Sequence, residues 1–137
     1  MRKSLAVRNA QLDSLEATIG ASAILRLRSG AQPAAVGNEI GASAGTVVAT
    51  MALPVDWMGN AAAGLKQRLG TWSDSAADAA NAGTIMHWEI VATNGTTKHL
   101  DGTVSATAGG GEIQLDNLNI ALGQAVSITS FDLTSAV

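Results

Sequence analysis

The sequence has no cysteine, which excludes disulfides, thiolate zinc sites and cysteine nucleophiles. It has no tyrosine and only one phenylalanine beside three tryptophans. Its core must therefore rest on Val, Ile, Leu, Met and many small residues. Charged residues make up 14% of the chain, against about 25% in an average soluble domain. A weakly charged surface rich in Ala, Gly, Ser and Thr fits a packed protein assembly better than a freely diffusing enzyme. No apolar run approaches the roughly 20 residues of a membrane span, so no membrane partner is expected. Arg2 and Lys3 open the chain like a signal peptide, but Asn9, Gln11, Asp13 and Glu16 interrupt any apolar region that follows.

The net charge is -3, whereas nucleic-acid binding draws on a basic patch. Five of the eight basic residues do fall early, at Arg2, Lys3, Arg8, Arg26 and Arg28. No run of aromatics accompanies them for base stacking, and no direct nucleic-acid contact is expected. The 137 residues are the size of one domain, which buries roughly 68% of its unfolded surface.

Residues 4–19 read as a helix. Leu5, Leu12, Leu15 and Ile19 lie near one stripe, and Gly20 is placed to end it. Its charges oppose the macrodipole, with Arg2, Lys3 and Arg8 at the start and Asp13 and Glu16 toward the end. Such a helix needs a docking surface. The segment from Met1 to Arg8 is expected to touch a partner, with Arg2, Lys3 and Arg8 as interface candidates; the competing reading packs it on the chain's own sheet with the basic residues solvated.

After Gly20 the period changes to two. Ala23, Leu25 and Leu27 alternate with Ile24, Arg26 and Arg28, as in a half-buried strand. Residues 34–45 form a small-residue loop. Thr46 to Leu53 follows as a strand with Val47, Ala49, Met51 and Leu53 on one face. Between Gly64 and Gly70, Leu65, Gln67 and Leu69 alternate with Lys66 and Arg68, which favours a strand over the competing short helix, and Ser73 to Gly83 reads as a loop with room for a helical turn. Met86, Trp88 and Ile90 share one side of the first strand in a hairpin over 84–105, turned at Asn94-Gly95. A three-residue loop, Thr93 to Gly95 with Gly95 left-handed, places Trp88 opposite Leu100 and keeps that face apolar. Ile113 and Leu115 make a short strand. Val126 and Ile128 differ in parity from Phe131 and Leu133, which predicts a bulge near Thr129-Ser130. One helix followed by seven to nine short strands gives a mainly β fold: a jelly-roll-like antiparallel β-sandwich with one N-terminal α-helix. The expected organisation is a single domain over 1–137, helix over 1–20 and sandwich over 21–137.

The same register sets four titratable groups on the second face of the hairpin, His87 opposite Asp101 and Glu89 opposite His99. Two imidazoles and two carboxylates on neighbouring strands can hold zinc or another divalent metal, or pair an acid with a base. The plainer reading is a solvated sheet face with cross-strand pairs worth about 0.2–1 kcal/mol each. Asn94-Gly95-Thr96 matches a glycosylation sequon but is first a turn signal. Gly109-Gly110-Gly111 lacks the lysine and the strand-turn-helix setting of a phosphate loop. No serine stands in a nucleophile elbow. The chain therefore reads as a non-enzyme without cofactor or metal. Trp88 belongs to the apolar face. Trp57 and Trp72 fall in loop or edge positions, where tryptophan serves either as an interface anchor or as part of the chain's own core.

Three stretches carry a family resemblance. The helix ending at Gly20 continues into Ala21-Ser22-Ala23-Ile24-Leu25-Arg26-Leu27-Arg28-Ser29-Gly30 and Pro33. His99-Leu100-Asp101-Gly102-Thr103-Val104 and the ending Gly123 to Thr134 complete the set. Together the stretches resemble small virion proteins of tailed bacteriophages, of the capsid cement or decoration type, including jelly-roll cement proteins of the Bordetella-podophage kind. The likeness is one of fold-level pattern over most of the chain and carries no individual site residue. It implies a protein of the virion, made in the host cytoplasm, that sits on the outer surface of an HK97-type capsid. There it would bind the major capsid protein as a homodimer or higher homo-oligomer. Tail, baseplate or fibre proteins share such a sandwich, and so do carbohydrate-binding modules, for which Trp57 and Trp72 are the available platform.

Overall fold

The computed structural model describes residues 1–37, 39–78 and 83–137. Residues 79–82 of the expected Ser73–Gly83 loop lie outside them.

The chain opens with α1 (Leu5–Ile19). The Ser4 hydroxyl caps it by accepting from the Val7 amide at 3.3 Å. Gly20, at φ 94°, ends it by donating its own amide to the Glu16 carbonyl. Nine strands follow among the described residues: β1 (Ile24–Ser29), β2 (Val47–Ala52), β3 (Leu65–Gln67), β4 (Trp72–Asp74), β5 (Ile85–Val91), β6 (Lys98–Ala106), β7 (Ile113–Leu115), β8 (Val126–Ile128) and β9 (Asp132–Thr134). The fold is thus mainly β with one N-terminal helix.

A five-stranded sheet runs β2-β1-β5-β6-β7, and two-stranded ribbons β3-β9 and β4-β8 form the remainder. The core gathers Leu25, Leu27, Met51, Ile85, Ile90 and Ile113 from the large sheet with Trp72, Ile128 and Phe131 from the ribbon side. A chain of aromatic contacts runs through it. Trp57 and Trp72 have centroids 6.0 Å apart, Trp72 and Phe131 5.2 Å, and Trp88 meets Phe131 edge-on at 5.1 Å.

Several sequence expectations need correction. The hairpin loop is wider than three residues: the Ala92 amide donates to Thr97 O, and Gly95 is left-handed as expected. The register then steps from Ile90↔Leu100 to Val91↔Lys98, leaving His99 as a bulge. Trp88 consequently faces Gly102, His87 faces Thr103 and Glu89 faces Asp101. A second bulge, at Met86, turns that side chain outward, so Ile85 and not Met86 joins Trp88 and Ile90 in the core. In β3 the apolar side is not the buried one: Lys66 is buried, and Leu69 beyond the strand is exposed. The bend at Thr129-Ser130 is more than a bulge, because the chain there leaves the β4-β8 ribbon for the β3-β9 ribbon. β7 runs parallel to β6 after a short connection. Gly109 and Gly111 permit that connection, since a Cβ at either would lie 2.8 Å from Ser105 atoms.

Candidate functional site

Arg26 and Arg28 alternate with core residues Leu25 and Leu27 in β1, which sends them to the opposite face of the sheet. The register aligns Arg26 with Glu89 and Arg28 with His87 on β5. Glu89 is 1% exposed. Its Oε1 lies 3.1 Å from Arg28 Nη1 and 3.7 Å from Arg26 Nη1, and Oε2 lies 3.8 Å from Lys98 Nζ. The Ser43 hydroxyl donates to Oε2 as well. A buried carboxylate is tolerated only when it is paired and hydrogen-bonded, and here both oxygens are answered.

The same cations hold the loop that covers them. Arg28 Nε donates to Ala44 O at 2.9 Å, and Nη2 to Gly45 O at 3.0 Å. Lys98 Nζ donates to Gly41 O. Ser29 and Thr46 close the loop base, the Thr46 amide donating to Ser29 Oγ at 2.9 Å. Arg26 Nη2 reaches the hairpin turn at Gly95 O, 2.9 Å away. The 41–46 segment is thus pinned over the sheet. Beside it lies a cleft of about 200 Å³ lined by Gln32, Pro33, Glu39, Ile40, Gly41 and Asp101. Gln32 Nε2 donates to Asp101 Oδ1 at 2.9 Å.

This geometry replaces both readings of His87, Glu89, His99 and Asp101, the metal site and the solvated sheet face, since His87 and Glu89 are buried. Glu89 is ringed by cations, which repel a divalent ion. His87 is buried, and its Nδ1 donates to Gly30 O at 2.8 Å. His99 is displaced into the bulge. Among the described residues no three His, Asp or Glu side chains form a metal-binding group. The sequence pattern found Glu89 but missed Arg28, Ser43 and Lys98. The alternation of Arg26 and Arg28 with Leu25 and Leu27 was the available signal for Arg28. No local signal marked Ser43.

The other candidates fall elsewhere. Trp57 and Trp72 are 0% and 1% exposed. They are core residues and offer neither an interface anchor nor a glycan platform. Their indole nitrogens donate to Gly20 O and Leu69 O. Arg8 Nε donates to Ser135 O at 2.7 Å, and Lys3 Nζ to Gln11 Oε1 and Ser135 Oγ. Arg2 is exposed.

α1 docks through a polar row. Asn9 Oδ1 accepts from the Gly64 amide, Asp13 Oδ1 from Ala61, and Glu16 Oε1 from Trp57 and Met58. Lys66 lies between the carboxylates, 2.9 Å from Asp13 and 3.3 Å from Glu16. The Ala61 amide, followed by the Lys66 ammonium, holds the Asp13 carboxyl below its ordinary value. The carboxylates that oppose the helix dipole are therefore answered by a loop of amides and one buried lysine.

No helix among the described residues is long and apolar enough to cross a membrane. No family model matches the chain, and neither a curated protein nor a solved structure does.

Proposed function

We propose that this chain is a non-enzymatic structural protein of a tailed-bacteriophage virion. It acts as a cement protein that binds the outer surface of an HK97-type capsid and braces contacts between major capsid proteins. It works there as a homodimer or higher homo-oligomer. The observation that carries the reading is the use made of buried charge. Glu89, Arg28, Arg26 and Lys98 are engaged with one another and with loop carbonyls, an arrangement that holds shape. A loop fixed before binding loses less entropy on docking, which favours a static contact. In a capsid, many copies of such a contact make a modest single interface sufficient. The sandwich with a docked helix and the low surface charge agree with the virion-protein resemblance.

A carbohydrate-binding module is disfavoured, because its two candidate platform residues, Trp57 and Trp72, are buried. The deciding experiment is localisation and copy number in the purified particle by cryo-electron microscopy and quantitative mass spectrometry. Hundreds of copies on the capsid exterior are expected. A handful at one vertex would assign the chain to the tail or connector, and none in the particle would overturn the reading.

A further inference from the structure

The two ends of the five-stranded sheet are treated differently. At β2 the outer edge is covered by the chain itself, the Thr50 amide donating to Asp74 Oδ2 at 2.9 Å and the Asp78 amide to Val48 O at 2.8 Å. At the opposite end, among the described residues, β7 pairs only with β6, and β8 only with β4. No backbone hydrogen bond joins β7 to β8 among the described residues. The space between them holds two adjoining clefts of about 240 and 320 Å³ that share Gln114 and Thr129.

The backbone of β7 is oriented toward this seam. Thr107 N donates to Leu115 O at 3.1 Å, so the Leu115 carbonyl faces the β6 side. Backbone groups alternate sides along a strand, which turns the Gln114 N–H and C=O away from β6, to the free edge of the sheet. Gln114, Ser127 and Thr129 are exposed. Glu112 and Asp116 line the clefts, and no lysine or arginine does. Burial would raise the Glu112 carboxyl, but hydrogen bonds from the Thr103 hydroxyl and amide, each 2.7 Å, hold it below its ordinary value and ionised.

We propose that the open seam between β7 and β8 is a strand-addition site for an extended, basic segment of a partner protein. Main-chain hydrogen bonds to Gln114 supply the affinity, and a lysine or arginine facing Glu112 and Asp116 supplies the selectivity. The inference rests on the reading of the chain as a binding protein and names the kind of segment it takes.

The test uses the full-length protein, isotope-labelled for NMR, and two capped pentapeptides, one alternating threonine with lysine and one alternating threonine with glutamate. The lysine peptide is expected to slow exchange of the Gln114 amide and to shift the Ser127 and Thr129 resonances. The glutamate peptide is expected to do neither. Asp116→Lys, at an exposed position, should weaken the lysine peptide about tenfold; Gln114→Pro, which removes the edge donor, should abolish binding. Since Gln114→Pro also perturbs the fold, the charge reversal carries the decision. An unchanged Gln114 exchange rate at millimolar lysine peptide, equal response to both peptides, or full retention by Asp116→Lys overturns the proposal. A protein found on capsids whose seam ignores the peptide defeats this inference alone, whereas a seam that takes the peptide in a protein absent from the particle defeats the cement reading alone.

Discussion

Gly102 lies beneath the indole of Trp88: the two are cross-strand partners, and a Cβ at Gly102 would stand 2.6 Å from ring atoms of Trp88. The indole is fixed in turn by Phe131, which it meets edge-on, so it has little freedom to retreat. Gly102→Ala should therefore destabilise the protein by overpacking, at about 1–3 kcal/mol. Equilibrium denaturation would measure it, and a change within a few tenths of a kcal/mol would show that the indole can move aside.

The Glu89 clamp makes a separate prediction. Removing the carboxylate leaves Arg28, Arg26 and Lys98 facing one another with no counter-charge. Glu89→Ala should cost roughly 3–5 kcal/mol, the range for breaking a buried pair. Ser43→Ala removes one hydrogen bond from the same carboxylate and should cost about 1–3 kcal/mol. Hydrogen exchange across 41–45 should accelerate in both variants, more in Glu89→Ala, because the loop loses its anchor.

These relationships were legible in the sequence to unequal degrees. The alternation around Leu25 and Leu27 placed β1 and its inward face, because a strand with one face on a core writes its period into the chain. Gly95 announced the hairpin turn. The pairing register was hidden, since the bulges at Met86 and His99 each displace one residue and no local signal marks them. In β3 the parity rule that holds in β1 would turn Lys66 outward. It lies inward because Asp13 and Glu16, distant in sequence, supply its partners. A tertiary ion pair overrode the hydrophobic pattern there, and for the same reason the helix charges looked unfavourable when read against the dipole alone. Trp57 and Trp72 read as edge residues because their strands are only short or absent, yet the aromatic chain through Phe131 encloses both.

The helix dock is pH-dependent, with a definite sign. The folded-state pKa of Asp13 is depressed from an ordinary value of 3.8. The stability it contributes is therefore present above that ordinary value and is lost as pH falls through the lower, folded-state value. Acid melts from pH 7 downward should show no loss from this group until below about pH 4. Asp13→Asn should lower stability at neutral pH and narrow the gap to wild type in strong acid. A gap that stays constant with pH would assign the effect to packing.

The basic N-terminal residues separate into two roles. Arg8 is bonded to Ser135 O, and Lys3 to Gln11 and Ser135 Oγ, so both tie α1 to the strand end beyond β9. Arg8→Ala should lower the melting temperature, because it removes a charge-assisted bond of about 1.5–3 kcal/mol. Arg2 is exposed, so Arg2→Glu should leave the melt unchanged, as exposed substitutions do within about 0.5 kcal/mol. If the segment also contacts a capsid subunit, as the proposed function requires of some surface, the two variants diverge. Arg2→Glu should weaken binding to purified capsids, and more so at low salt, where exposed charges are least screened. Deleting residues 1–8 cannot make this distinction, since it removes the Arg8 tether together with Arg2. Capsid binding by Arg2→Glu at wild-type strength across the salt range would confine the N-terminal segment to holding its own helix in place.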